Sequence, residues 1–437
     1  YDPELNLLYI GTGNGSPWNR YERSPGGGDN LYLSSIVAIN PDNGEYVWHY
    51  QTTPGDSWDY TATQHMILAD IEIEGELRQV LMQAPKNGFF YVIDRVTGEF
   101  ISANNYVPMN WASHVDRETG RPVELAGGNH ELQPALTTPG PLGGHNWHPM
   151  SYNPSTGLVY IPAQETLFVY STDTNFEYNP KTSNTAQQME MTYLPKDPNE
   201  LAMVDSATLG YLLAWDPKTQ KEVWRAQYKR PWSGGVLSTD GNLVFQGTSD
   251  GRFIAYAADS GELLWSMDTG QGIVAPPISY KVDGEQFIGV QVGYGGAYAL
   301  MGGLEAANKN PERNGRMMVF KLGGEELEKP VATIAQLNPT LIELNPDSLT
   351  IAKGEYEFHE HCQFCHGTGA IGGGVLPDLR MLDTEGNAAF LGSVLGGVHG
   401  SGMASFKDVL TLEQGMQIHE YIKSQAILTG VATAAEQ

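Results

Sequence analysis

The chain has 437 residues, of which 17% are charged and 10% aromatic, with 51 glycines and 26 prolines. It is too long for one ordinary domain, and such a turn-rich, charge-poor composition suits many short strands better than helices. Its 51 acidic and 25 basic residues give a net charge of −26, which argues against nucleic acid and anionic membrane surfaces as partners and leaves solubility or a basic soluble partner. No run of about 18 apolar residues occurs, so no membrane span is expected. The chain opens Tyr1-Asp2-Pro3 without a signal peptide; it reads as a fragment or a processed chain, so the missing signal says nothing about export.

Residues 1 to about 320 carry an internal repeat. Ala38-Ile39-Asn40-Pro41-Asp42-Asn43-Gly44-Glu45-Tyr46-Val47-Trp48 recurs from Ala214 to Trp224 and from Ala255 to Trp265. A weaker copy runs from Val92 to Glu99, and Tyr152 to Tyr160 has the same turn. Each unit reads as strand, Asp/Asn-Gly turn and strand, closed by an aromatic residue. The 41 residues from Trp224 to Trp265, and longer spacings elsewhere, fit the blades of a β-propeller better than a β-helix or a sandwich. The tryptophans are then predicted to pack between neighbouring blades. Trp232, in Pro231-Trp232-Ser233-Gly234-Gly235, either lines a cavity or packs between blades, with packing the simpler reading. The Asn-, Thr- and Tyr-rich segment from Phe168 to Glu200 is a candidate pocket loop.

A linker over residues 322–345 precedes a different region, 346–437. Ser348 to His366 is predicted to be helical, with Ala352, Tyr356 and His359 on one stripe. It ends in Cys362-Gln363-Phe364-Cys365-His366, which holds the only two cysteines of the chain. This is the CxxCH arrangement of covalent haem c: two close thiols reach the two vinyl groups, and the adjacent histidine reaches the iron. A zinc site would need further cysteines, and a thioredoxin-like redox pair would follow a strand. Thr411-Leu412-Glu413-Gln414 has the form of a capping box opening a last helix through Tyr421-Ile422. In the glycine-rich loop between, Met403 is the candidate sixth iron ligand, with His399 as competitor and simple packing as the bland role of the methionine.

The repeat Ala-x-Asp-x-x-Thr-Gly-x-x-x-Trp resembles the tryptophan-docking motif of pyrroloquinoline quinone (PQQ) dehydrogenases. Gly11-Thr12-Gly13-Asn14-Gly15-Ser16-Pro17-Trp18-Asn19 is similar to their calcium-site loop, and Ser57-Trp58-Asp59-Tyr60-Thr61-Ala62-Thr63 to their catalytic-aspartate segment. Ala84-Pro85-Lys86-Asn87-Gly88 and Gly144-His145-Asn146-Trp147-His148-Pro149 resemble their cofactor-contact segments. With a cytochrome behind the propeller, the chain resembles the type II quinohaemoprotein alcohol dehydrogenases from Tyr1 to about Ile427.

The resemblance implies an all-β propeller, about five blades of the family's eight (1–321), then the linker (322–345) and an all-α class I cytochrome c domain (346–437). The family's amino-terminal third, with a glutamate calcium ligand, a disulfide between adjacent cysteines and a tryptophan stacked on the quinone, is then expected to lie outside this sequence, and those residues are not assigned. It implies periplasmic oxidation of a small alcohol to an aldehyde or ketone with PQQ and Ca²⁺, and electrons leaving through one haem c to a soluble copper protein or cytochrome. Asp59 is then the base and, with Asn14, a calcium ligand; Lys86, Asn146 and Trp147 contact PQQ; Cys362 and Cys365 carry the haem, and His366 and Met403 its iron. Lanthanide-dependent relatives carry a further aspartate two positions after the base, where this chain has Thr61, so calcium is expected. A relative acting on a sugar, polyvinyl alcohol or a heterocyclic alcohol, or a non-catalytic propeller fused to an electron carrier, is the alternative.

Overall fold

The repeats fold as hairpins with a shared register. Ala38 faces Trp48, Ala214 faces Trp224 and Ala255 faces Trp265 directly across each strand pair, and each pairing slips by one residue beside the alanine. The turns explain the slip: Gly44 and Gly261 both have φ 74°, and Gln220 takes the left-handed position at φ 54° in the Ala214–Trp224 copy. In that copy the Asp216 carboxylate accepts from the Lys218 N–H at 2.9 Å, closing the turn with its own side chain.

The computed structural model describes residues 1–437 except 181–182, 303–314, 326, 328–339, 345–346, 375, 382–385, 399 and 435–437. It divides into two compact units, one of Tyr1–Phe176, Thr185–Gly293 and Asn314–Val331, the other of Glu177–Asn184, Tyr294–Arg313 and Ala332–Gln437.

In the first unit, five antiparallel sheets of three or four strands follow one another along the described chain. They comprise Leu8–Gly11, Ser35–Ile39 and Tyr46–Gln51; Met66–Ile73, Glu76–Gln83, Phe89–Asp94 and Phe100–Asn105; Ser151–Asn153, Leu158–Glu165, Leu209–Asp216 and Lys221–Tyr228; Val236–Thr239, Leu243–Gly247, Arg252–Ala257 and Leu263–Asp268; and Ile278–Val282, Glu285–Val292 and Arg316–Phe320. Within each sheet the strands lie in order along the chain; most are joined by short hairpins, but the connection from Leu158–Glu165 to Leu209–Asp216 is a long excursion. The segment from Phe168 to Glu200 is not one loop: Phe168–Tyr170 pairs with Ala135–Thr137, and Pro198–Ala207 is a helix capped by the Asp197 side chain.

The inner strands Phe89–Asp94, Leu158–Glu165, Leu209–Asp216 and Arg252–Ala257 are buried on both faces. Phe90, Val92, Val159, Ile161 and Leu213 of the second and third sheets form one fully buried cluster. Trp48 and Trp224 are buried, and each closes on the turn glycine of the next repeat: a methyl group on Gly98 would lie 2.7 Å from the Trp48 ring, and one on Gly261 2.7 Å from Trp224. Removing either indole is expected to cost about 3–5 kcal/mol. Trp265 differs: it is 40% exposed and meets the Phe320 ring edge-on rather than a turn glycine.

The second unit is mostly helical where described, with Ser348–His361, Gln363–His366, Gly386–Gly396 and Leu412–Leu428 as its main helices. The expected single helix to His366 is interrupted at Cys362, where one helix ends and a short one begins. Its buried stripe is Gly354–Phe358, with Ile351 partly buried, not Ala352–Tyr356–His359; of these only His359 is buried, and Ala352 and Tyr356 are exposed. The reason is a close crossing with the last helix: a methyl group on Gly354 would overlap the Gln417 carbonyl, and the Phe358 and Tyr421 rings meet at 5.2 Å. The capping box at Thr411 and Gln414 is present with both of its hydrogen bonds. Most of the expected linker lies outside the described residues, but Thr340–Ile342 forms a short parallel pair with Ala432–Ala434. No described helix is long and apolar enough to cross a membrane.

Candidate active site

Asp59 sits in a tight loop after the first sheet. The Asp56 carboxylate accepts the Trp58 and Tyr60 N–H groups, both at 3.1 Å, and so curls the chain around the intervening residue. Asp59 takes the left-handed conformation at φ 62°, a position at which aspartate is tolerated better than most side chains. Four further contacts hold the loop. His130 Nε2 lies 2.6 Å from the Ser57 carbonyl, and the Tyr170 hydroxyl donates to the Trp58 carbonyl at 2.7 Å. The Trp58 indole donates to the Gly128 carbonyl at 2.7 Å, and the Tyr60 hydroxyl to the Pro139 carbonyl at 2.6 Å.

Lys86 comes to Asp59 from the turn after the Glu76–Gln83 strand. Its Nζ donates to Asp59 Oδ2 and to the Asp59 carbonyl, each at 3.0 Å. Asn14 hydrogen-bonds to the same carboxylate. Burial pushes the Asp59 carboxyl up, and Lys86 and Asn14 only partly pull it back. Burial also raises Asp56, to about 7. Asn14 and Asp59 carry hard oxygen donors of the kind that calcium takes in sites of about six to eight ligands. Among the described residues no three His, Cys, Asp or Glu side chains stand together as a metal site. The Thr61 hydroxyl is engaged by Gln64 Nε2 at 3.0 Å, so a neutral group fills that position.

The loop carrying Asn146 and Trp147 lies against Lys86. The Gly144 N–H donates to the Lys86 carbonyl at 3.0 Å, and a methyl group on Gly143 would fall 2.6 Å from the Lys86 chain, so only glycine permits this approach. The fully buried His145 ties the two segments together, with Nδ1 2.7 Å from the Ala84 carbonyl and Nε2 2.6 Å from the His148 carbonyl. Asn146 spends one amide N–H on the Leu142 carbonyl at 2.9 Å and keeps the other. Trp147 is 49% exposed, stacked on His148 at 4.1 Å, so part of its ring and surround is open. Trp232 is buried and stands edge-on to His148 at 4.9 Å, with its indole N–H unpartnered. These loops can thus receive a flat, oxygen-rich ligand: a cation at Lys86, a spare amide donor at Asn146 and an accessible indole at Trp147.

In the second unit the Cys362 carbonyl accepts from Cys365 and His366 N–H at 3.1 and 2.8 Å, drawing the three side chains onto one tight turn. Both thiols are free. Burial pushes Cys362 up to about 12, the opposite of what a redox CxxC needs. Burial lowers His366 and favours the neutral imidazole that can ligate iron, with the Pro377 carbonyl opposing. Cys362 and Met403 pack against one apolar cluster that includes Phe358, Leu410 and Tyr421. This donor set and its apolar wall fit a haem. His399, the competitor of Met403, lies outside the described residues.

Residues 1–122 and 128–288 match the family model described as PQQ: glucose/ethanol/alcohol dehydrogenase, β-propeller domain. The chain belongs to the PQQ-dependent quinohaemoprotein alcohol dehydrogenase family. Its sheets are those of the family's β-propeller. It is 48% identical over 431 residues to quinohemoprotein alcohol dehydrogenase ADH-IIG of Pseudomonas putida, covering 98% of this chain and 60% of that protein. The solved structure of that enzyme superposes with a TM-score of 0.89 at 46% identity, over 98% of this chain and 63% of that one. Quinohemoprotein alcohol dehydrogenase from Comamonas testosteroni superposes with a TM-score of 0.83 at 43% identity, over 98% and 62%. The chain therefore spans about three-fifths of the length of these relatives.

The motifs named Ser57 only as part of the Asp59 segment and did not point to the other supports of this site. Asp56, Ser57, His130, Glu131 and Tyr170 make the contacts that fix the Asp59 loop. Asp56 lay beside the recognised segment and its Asx geometry was readable; His130, Glu131 and Tyr170 come from distant loops with no local signature.

Proposed function

We propose that the chain oxidises alcohols to aldehydes or ketones with PQQ and calcium, and passes the electrons through a covalent haem c to a soluble acceptor, a copper protein or a cytochrome. The observation that carries this reading is the Asp59 carboxylate, held at 3.0 Å by Lys86 and hydrogen-bonded by Asn14, in a family of quinohaemoproteins. Asp59 takes the proton of the alcohol hydroxyl and, with Asn14, ligates calcium. Lys86 orients that carboxylate and offers its positive charge to a quinone oxygen. Asn146 and Trp147 donate to the cofactor's oxygens. Cys362 and Cys365 hold the haem, and His366 and Met403 ligate its iron. When bound, PQQ supplies the hydride acceptor, calcium the Lewis acid that polarises it, and the haem a one-electron carrier. Calcium rather than a lanthanide follows from Thr61, whose neutral hydroxyl adds no charge for a trivalent ion.

The same reading assigns residues 1–321 to the quinoprotein propeller, 322–345 to a linker and 346–437 to an all-α class I cytochrome c domain. It places the protein in the periplasm, where c-type haem is attached. The test is spectroscopic. With PQQ and calcium supplied, adding a primary alcohol to the oxidised intact gene product is expected to reduce the haem, seen in its absorbance bands. A haem spectrum unmoved by primary alcohols, sugars, polyvinyl alcohol and heterocyclic alcohols alike would leave a non-catalytic propeller beside an electron carrier.

A further inference from the structure

We propose that Glu131 is a positioning residue for the Asp59 site, acting through the Ser57 hydroxyl and Arg20. Its carboxylate is almost wholly buried, with 1% of the side chain exposed. One oxygen accepts from the Ser57 hydroxyl at 2.9 Å and pairs with the Arg20 guanidinium; the other accepts from the Asn129 amide at 3.0 Å. The Arg20 backbone N–H in turn donates to the Ser57 hydroxyl at 3.1 Å. The Asn19 amide reaches the Glu131 carbonyl at 3.2 Å.

The consequence is geometric. Asn19 and Arg20 end the loop that carries Asn14; Ser57 stands two residues before Asp59. Glu131 is bonded to both segments and touches neither Asn14 nor Asp59. Arg23 adds a parallel strut, donating to the Pro17 and Trp18 carbonyls at 2.6 and 2.9 Å and to the Asp56 carbonyl at 2.7 Å. Next to Glu131, the buried His130 fixes the Ser57 carbonyl. The buried carboxylate thus fixes the spacing between the two oxygen donors together with the Arg23 strut and the Ala62 N–H, which donates to the Thr12 carbonyl at 3.0 Å. A buried charge holds such a geometry firmly, because leaving either partner unpaired is unfavourable. Outer groups that orient metal ligands typically change metal affinity about 10–100-fold when removed. This inference rests on the reading of Asn14 and Asp59 as ligands of one cation.

The test uses calcium itself, titrated calorimetrically into the metal-free intact gene product. Glu131→Gln and Ser57→Ala are each expected to weaken calcium binding tenfold or more, while melting of the metal-free protein stays within a few degrees of wild type. Glu124→Gln, which removes the other, more exposed carboxylate on Arg20, is expected to keep wild-type affinity. Turnover of Ser57→Ala is expected to recover toward wild type at saturating calcium, which a general folding defect would not allow. If Glu131→Gln fails to fold, Ser57→Ala decides alone, since it deletes a single hydroxyl. A folded Ser57→Ala protein with wild-type calcium affinity overturns the proposal. Asp59→Asn separates the two readings. If it abolishes calcium binding while Ser57→Ala and Glu131→Gln keep it, only the role of Glu131 falls. If Asp59→Asn binds calcium like wild type, the assignment of the metal ligands falls and takes this inference with it.

Discussion

The turn at Cys362 and the loop at Asp59 hold their reactive groups in different ways. Cys362, Cys365 and His366 follow one another across a single break between two helices, and Cys362 shares an apolar cluster with Met403. Asn14, Asp59, Lys86 and Asn146 arrive on four separate loops, and what aligns them is a set of hydrogen bonds to backbone carbonyls. A contiguous motif depends on its own residues and on apolar packing, which is forgiving in direction. A dispersed polar site depends on supports that never touch substrate, and each hydrogen bond there is directional.

The largest effects should fall on the reacting groups and remain confined to their own region. On the proposed assignment Asp59→Asn removes base and metal ligand together, so turnover should fall by about 10²–10⁴ from the lost base and further from the lost ligand. The haem spectrum of that variant should be unchanged. Conversely, Cys362→Ala with Cys365→Ala should abolish haem staining after denaturing electrophoresis while calcium uptake at Asp59 persists. Haem that washes out of the wild type on denaturation would refute covalent attachment. Near-normal turnover in Asp59→Asn would refute the base.

The same contrast explains what the chain discloses before folding. The Ala–Trp repeats, their left-handed turns and the CxxCH run are short-range patterns, and they led to the propeller strands and to the Cys362 turn. Thr411 and Gln414 gave the last helix because a capping box is local too. The buried stripe of the Ser348–His361 helix was misplaced, since Gly354 carries no hydrophobic signal and is buried only because another helix passes against its backbone. Glu131 was invisible for a related reason: its meaning comes from Arg20 and Ser57, which folding brings to it. Trp265 carries the same motif as Trp48 and Trp224, yet is far more exposed, so a repeat specifies a hairpin and not the neighbour that covers it.

Iron ligation sharpens the contrast from the other side. Met403 enters the apolar cluster from a loop in which Gly397, Gly400 and Gly402 all have positive φ. Met403→His should lower the reduction potential on the order of a hundred millivolts, within the ~0.8 V that axial ligands span. The weak near-infrared band of methionine-bound ferric haem should vanish with it. If Met403→Ala leaves spectrum and potential in place while His399→Ala changes both, the ligand is His399.

A smaller effect concerns electron exit. Residues 346–437 carry 11 acidic and 4 basic side chains. A basic acceptor would be drawn to that charge, and raising salt shortens the range of the attraction. The bimolecular transfer rate is expected to fall about tenfold between low and high ionic strength. A rate indifferent to salt would make docking apolar, in keeping with the packing that dominates this region.

The smallest effect tests a support of the dispersed site through pH. Asp56 is buried and its carboxyl is raised from 3.8 to about 7, chiefly by desolvation, with Asp59 adding to the rise and the Trp58 and Tyr60 N–H groups opposing it. A carboxyl that binds its proton more tightly folded than unfolded stabilises the fold at low pH. That contribution is complete below about pH 4 and is lost as pH rises through about 7. His145 and His148, pushed down by burial to about 4 and about 3, act in the opposite sense as pH falls below 6.5, so the informative quantity is a difference between variants. Asp56→Asn keeps an oxygen to accept both N–H groups but has no charge to bury. Its melting temperature relative to wild type should therefore climb by a few degrees between pH 5 and pH 8 in metal-free protein. A difference that stays constant across that range would mean that Asp56 is ionised throughout, with Arg23 compensating its charge, and the Asp59 loop would then be held by an ion rather than by a neutral cap.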